Sequence, residues 1–121
     1  MVPLDIPPSA KIHLIGISGT GMGTLAGLLK ESGYDVRGSD VQTYPPMSLE
    51  LKRLGILVME GYSPANLDWG PDLVVVGNVC RPDHVEAAAA RERGIPYASM
   101  PRVLHELFLE YKHSVVIAGT H

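Results

Sequence analysis

Eight residues carry the densest chemical signal in the chain: Gly16-Ile17-Ser18-Gly19-Thr20-Gly21-Met22-Gly23, four glycines in one short stretch. Glycines let a backbone turn tightly and approach a ligand with no Cβ in the way. Where such a loop opens a helix, the first-turn N–H groups lack intrahelical acceptors, and the helix dipole favours an anion beside them. The chemistry on offer is therefore binding of a phosphate or diphosphate. Read strictly, the frame is G-x-S-x-x-G with Ser18 in the middle glycine position; one step later it is Gly19-x-Gly21-x-x-Thr24. Neither is a clean dinucleotide fingerprint, and a tight strand-to-helix turn without a ligand uses the same residues.

Two further groups fall where such a loop would need them. Asp40, in Gly38-Ser39-Asp40, lies 19 residues after Gly21. An acid at the end of a second parallel strand can accept hydrogen bonds from ribose hydroxyls, and it can equally be a turn or N-cap aspartate. Gly77-Asn78 ends the run DLVVVGN, where the asparagine offers a donor and an acceptor to a base edge or sugar, or simply belongs to a polar turn. His13, inside the first apolar run, reads as a packed core or edge residue. His84 and Arg81 read as a solvated helix start, and His105 and His113 as surface residues. No histidine pair shares metal-ligand spacing with a carboxylate, so no metal site is expected.

The elements that must position these groups follow from periodicity. Lys11–Gly16 is a short apolar run stopped by glycine, a strand. Met22, Leu25, Ala26 and Leu29 form one helical stripe, with Gly33 at the C-cap position. A second short strand is expected over Asp35–Gly38, a helix carrying Met47, Leu51 and Leu54 and closed by Gly55, and a third strand over Ile56–Met59. Tyr44-Pro45-Pro46-Met47-Ser48 is a stiff entry into that helix, either a plain helix start with proline preset or also a border of the expected cleft. Asp72–Gly77 has consecutive apolar residues, as a strand covered on both faces requires. Pro82 opens a helix that Gly94 stops, and its Ala87–Ala90 face suits close packing on a sheet. Ile95–Ala98 is a fifth strand. Pro101 starts a last helix with Val103, Leu104, Leu107, Phe108 and Tyr111 on one face, and Ser114–Ala118 is a sixth apolar run. Strands alternating with helices predict an α/β domain, a doubly wound, mostly parallel Rossmann-like sheet of five strands in the order 3-2-1-4-5.

Composition narrows the function classes. Of 121 residues, 45% are hydrophobic and 19% charged, a globular balance, and the formal charge of −3 offers no basic field for nucleic acid. Cys80 is the single cysteine, which excludes an intrachain disulfide and a cysteine zinc cage and fits a reducing compartment. No run approaches a membrane span, and the N-terminal residues lack a signal-peptide pattern. A cytoplasmic protein without membrane or nucleic-acid partners is expected; the oligomeric state is not legible.

Together, HLIGISGTGMGTLA (13–26), GSD (38–40), DLVVVGN (72–78) and VVIAGTH (115–121) resemble the N-terminal domain of the Mur ligases, the ATP-dependent amide-forming enzymes of bacterial peptidoglycan assembly. The resemblance is greatest to members that act directly on UDP-N-acetylmuramate, one joining L-alanine to it and one a murein tripeptide. It implies that Gly16, Ile17, Ser18, Gly19, Thr20, Gly21, Met22 and Gly23 wrap the diphosphate of UDP-N-acetylmuramate. It also implies that Ser39, Asp40, Gly77 and Asn78 border the uridine side. Gly119, Thr120 and His121 are similar to the start of the family's ATP-binding loop. The expected division is a lead-in over 1–10, a Rossmann-like domain over 11–112, and from 113 the start of a central domain. The family's ATP, Mg²⁺ and catalytic groups belong to that central domain, so no cofactor and no turnover are expected of these 121 residues alone. The competing reading is the NAD-binding domain of a dehydrogenase, or an NAD-sensing regulatory module, since both ligands carry a diphosphate and a ribose. A dehydrogenase has no need of a strand running into a second glycine-containing turn such as AGTH.

Overall fold

In the computed structural model, residues 9–77 and 84–109 are described. They form β1 (Lys11–Ile15), α1 (Thr20–Glu31), β2 (Asp35–Asp40), α2 (Met47–Arg53), β3 (Leu57–Glu60), β4 (Leu73–Val76), α3 (Val85–Glu92), β5 (Tyr97–Ser99) and α4 (Met100–Leu104), which continues as a widened π turn over His105–Leu109. A single 3₁₀ turn, Pro64–Leu67, lies between β3 and β4. The five strands make one sheet in the order β3-β2-β1-β4-β5, every pairing parallel. This is the doubly wound order the periodicity predicts. The order of strand succession reverses between β1 and β4, the switch point where such sheets open a crevice beyond their strand ends.

Alternation along β1 sorts the two layers. Ile12 and Leu14 face a core shared with Met22, Leu25, Ala26 and Leu29 of α1, Leu51 of α2 and Val103. Ile15 faces the other layer, with Leu67, Val74, Ala87, Ala89 and Ala90. Each fully buried Leu or Ile contributes roughly 1.5–3 kcal/mol. The small alanine face of α3 brings that helix close to β4, as the Ala87–Ala90 run suggests. Leu73, Val74 and Val75 are all fully buried, which accounts for the absence of polar alternation in that strand.

One device ends three helices. Gly33, Gly55 and Gly94 adopt φ of +97°, +76° and +70° after α1, α2 and α3. The amides of Tyr34, Ile56 and Ile95 then return to the carbonyls of Leu29, Leu51 and Ala90 at 3.1, 3.0 and 2.9 Å. Glycine takes this left-handed turn without strain, so each helix feeds the next strand directly.

Three strands differ from the expected bounds. β2 continues through Ser39 to Asp40, because Gly16 and Ile17 both donate to the Ser39 carbonyl. β3 and β5 begin one to two residues later than the apolar runs, at Leu57 and Tyr97. The expected start of the third helix at Pro82 and the sixth strand at Ser114–Ala118 lie outside the described residues, as do Cys80, Arg81 and His113.

Candidate ligand-binding site

The glycine loop leaves the C-terminal end of β1 at the switch point and runs into α1. Gly16 makes the turn at φ +79°. Its amide and that of Ile17 donate to the Ser39 carbonyl at 2.8 and 3.1 Å, and the Gly19 amide donates to the Gly16 carbonyl at 3.1 Å. Ser18 N–H donates to Asp40 Oδ2 at 3.0 Å, while Asp40 Oδ1 accepts from Val41 N–H at 2.7 Å. β2 thus grips the loop twice, through a carbonyl and through a carboxylate. The amides at the start of α1 are left facing outward, since no earlier turn of helix can accept from them. No side chain caps this N-terminus: Gly19 occupies the N-cap position.

The four loop glycines have different causes. Gly16 needs its positive φ. A Cβ at Gly23 would meet the Met47 thioether at 2.6 Å, so that glycine lets α2 approach α1. Gly38, next to the loop on β2, is a packing glycine too: a Cβ there would lie 2.6 Å from Ile17 Cδ1 and 2.7 Å from the Leu14 carbonyl. Gly19 has neither reason. Its φ of −64° and ψ of 148° suit any residue, and the nearest atom to an added Cβ would be the Gly16 carbonyl oxygen at 3.4 Å. Gly21, in the first helical turn, would meet only the flexible end of Met100, at 3.0 Å.

The remaining sequence-marked residues fall as follows. The side chain of Ile17 is fully buried and that of Met22 nearly so, leaving their backbones as the part a ligand can reach. The Ser18 hydroxyl is buried with no hydrogen-bond partner among the described residues. Ser39 is fully buried, and its hydroxyl donates to Glu86 Oε1 at 2.5 Å. Asp40 is half-buried at the mouth, followed by the exposed side chains of Val41 and Tyr44. Gly77 directly follows β4, beside Ile15 and Met22. The structure therefore gathers residues 16–23, Asp40 and Gly77 at one end of the sheet. Asn78, Gly119, Thr120 and His121 lie outside the described residues.

Sequence reasoning missed Glu86. This fully buried carboxylate accepts four hydrogen bonds: Ser39 Oγ and His13 Nε2 (2.9 Å) on Oε1, and Ser63 N–H (3.1 Å) and Asn66 Nδ2 (2.7 Å) on Oε2. Burial pushes its carboxyl up, but these donors outweigh the burial and hold it below the ordinary glutamate value. His13 is packed in the core, as expected, but as part of this network. Trp69 Nε1–H can only donate, and it points at His13 Nδ1 at 3.2 Å. His13 must therefore carry its hydrogen on Nε2 and donate to Glu86. One signal was present in the sequence: Glu86 stands on the same stripe as Ala90, a carboxylate on an otherwise alanine-lined buried face. His84, read as a solvated helix start, is half-buried; it caps α3 by accepting from Glu86 N–H at 3.1 Å and packs edge-on against Tyr62.

Comparison with known proteins shows the family and the fold. Residues 11–112 match the model of the Mur ligase family, catalytic domain. The UDP-N-acetylmuramate–L-alanyl-γ-D-glutamyl-meso-2,6-diaminoheptandioate ligase of Escherichia coli K12 is 42% identical over 111 residues, covering 92% of this chain and 24% of that protein. The UDP-N-acetylmuramate–L-alanine ligase of Dictyoglomus turgidum is 40% identical over 111 residues, covering 92% and 23%. The chain thus spans about a quarter of these relatives. Among solved structures, the diaminopimelate-peptide ligase of Neisseria meningitides superposes with a TM-score of 0.79 at 45% identity, over 84% of this chain and 32% of that one. An NADP complex of the transcriptional regulator NmrA gives 0.62 at 15% identity, a likeness of fold alone. With the match spanning most of its length and extending through the glycine loop, this chain belongs to the Mur ligase family.

Proposed function

We propose that this chain is the UDP-N-acetylmuramate-binding domain of an ATP-dependent Mur ligase that joins the muramyl carboxylate to an amino acid or peptide in peptidoglycan synthesis or recycling. In this reading the backbone of Gly16–Gly23 wraps the diphosphate. The Ser18 hydroxyl donates to it, and Asp40, with Gly77 and Asn78, borders the uridine side. The observation that carries the reading is Gly19. Neither backbone strain nor packing explains a glycine there, and close approach of a ligand backbone or phosphate does. The relatives whose names specify UDP-N-acetylmuramate match across this same segment.

ATP and Mg²⁺ would serve the complete ligase by activating the carboxylate for attack by an amine. Among the described residues no group of three or more His, Cys, Asp or Glu is placed to hold a metal, so no step is assigned to them. What this domain supplies is orientation: holding one end of the substrate fixes the muramyl carboxylate relative to the reacting groups. A cytoplasmic location belongs to this proposed reading. Separately, none of the described helices is long and apolar enough to cross a membrane.

Titration calorimetry of the 121-residue chain with UDP-N-acetylmuramate and with NADH tests the proposal. Heat of binding for the uridine ligand, lost in Gly19→Val, is the expected result. Binding of NADH in its place would move the chain to the dinucleotide-binding reading.

A further inference from the structure

Beneath the loop, Glu86 reaches both residues that shape it. Along one path, Ser39 Oγ donates to Glu86 Oε1, and the Ser39 carbonyl accepts from Gly16 and Ile17. Along the other, Asn66 Nδ2 donates both to Glu86 Oε2 and to the Gly61 carbonyl at 2.8 Å. Gly61 N–H in turn donates to the Asp40 carbonyl at 2.7 Å, and Asp40 holds Ser18 through its carboxylate. The carboxylate itself is fully buried and sits beyond the reach of any ligand at the loop.

We propose that Glu86 is a positioning residue for the diphosphate loop: one buried carboxylate sets Ser39 and Asp40 together, and through them the amides of Gly16, Ile17 and Ser18. The proposal rests on the reading that this loop binds the diphosphate. Four donors converge on the two oxygens from β1, β2 and the 61–66 segment, while the carboxylate belongs to α3. Loosening it therefore releases the loop from two sides at once. A glutamine cannot replace it. If its oxygen stays on Ser63 and Asn66, its NH₂ faces the Nε2–H of His13, a donor against a donor, because Trp69 prevents the other tautomer.

The test uses the ¹⁵N-labelled 121-residue chain as wild type, Glu86→Gln, Ser39→Ala and Val36→Ala. The last removes packing at the far end of β2 and serves as a control for stability loss alone. Two readouts are taken well below each melting point: amide resonances of Gly16, Ile17, Ser18 and Gly19 without ligand, and affinity for UDP-N-acetylmuramate. Glu86→Gln and Ser39→Ala should shift those resonances and weaken binding by about 10- to 100-fold, the scale of a small misplacement of positioning groups, while Val36→Ala does neither. Ser39→Ala keeps the carboxylate and three of its donors, so it decides the matter if Glu86→Gln does not fold. Loop resonances and affinity unchanged in both path variants, with only the melting point lowered, would overturn the proposal. Shifted resonances in a chain whose wild type binds no uridine ligand would instead overturn the ligand reading and leave the Glu86–loop coupling standing.

Discussion

Asp40 Oδ2 accepts the backbone N–H of Ser18 at 3.0 Å, so an acid 22 residues downstream holds the middle of the glycine loop in place before any ligand arrives. The residue that the sequence marks for the ribose is therefore also part of the loop's own scaffold. Its other oxygen closes on Val41 N–H, and its carbonyl on Gly61 N–H.

This double duty makes Asp40→Ala and Asp40→Asn differ. Losing one partner of a charge-assisted hydrogen bond costs about 1.5–3 kcal/mol, or roughly 10- to 150-fold in affinity. Asp40→Ala should show that loss for UDP-N-acetylmuramate together with a lowered melting temperature, because Ser18 N–H loses its acceptor. Asp40→Asn keeps a carbonyl oxygen for Ser18 and should lose affinity with little change in melting. Calorimetry and thermal unfolding of both variants check the pair. Equal affinity for wild type and both variants would leave Asp40 as scaffold only.

The glycines should separate just as cleanly. Gly19→Val sits in permitted backbone, its Cβ in contact at 3.4 Å with the Gly16 carbonyl oxygen, and should fold like wild type while losing the uridine ligand. Gly38→Ala places a methyl 2.7 Å from the Leu14 carbonyl, a main-chain atom that cannot rotate away, and should destabilise by about 1–3 kcal/mol or more. Denaturant midpoints for the two variants, read beside their binding curves, decide. A destabilised Gly19→Val with normal binding per folded molecule would remove the case for ligand approach at that position.

Acid should find Glu86. Burial pushes its carboxyl up, but hydrogen bonds from His13, Ser39, Asn66 and Ser63 bring it below the ordinary value of 4.5. Its folded pKa is therefore lower than its unfolded one. The unfolded chain takes up the proton first, and the contribution of this group is complete above about pH 4.5 and is lost as pH falls through the folded value. His13 is the titratable side chain in direct contact with it among the described residues. Glu86→Gln should be about 1–3 kcal/mol less stable at pH 7, with the gap to wild type narrowing as the medium is acidified. Urea midpoints at pH 7, 4.5 and 3 read this out; a gap independent of pH would contradict it.

The 121-residue chain should bind without turnover. An ATP phosphate loop uses a lysine to reach the β- and γ-phosphates and a hydroxyl for Mg²⁺. The loop over 16–23 contains no lysine, and Lys30 lies in the last turn of α1, at the opposite end of the helix from the loop. Phosphate release from ATP and Mg²⁺ should not exceed the buffer rate. Hydrolysis that disappears in Gly21→Val would place catalysis in this loop and overturn the proposed division of labour.

Much of this protein is written in local sequence. The stripe at Met22, Leu25, Ala26 and Leu29, the consecutive apolar residues of β4, and glycines 33, 55 and 94 each act within a few residues, so period and turn chemistry suffice to find them. Strand order followed from the same pattern, because short right-handed crossovers leave few alternatives. The glycine loop was legible as a phosphate-binding candidate because its signal, too, is contiguous. What each glycine is for was not. Gly19, Gly23 and Gly38 look alike in one dimension, and only the placement of Met47, Ile17 and Leu14 separates the two packing glycines from the one where a Cβ would meet nothing nearer than 3.4 Å. Glu86 was hidden for the same reason. Its partners come from positions 13, 39, 63 and 66, brought together by parallel pairing and by the seating of α3 on the sheet, and a carboxylate in the first turn of a helix reads as a solvated residue until those four donors surround it. Local propensity and hydrophobic period are properties of neighbours along the chain; satisfaction of a buried charge is a property of neighbours in space, and only the tertiary structure decides it.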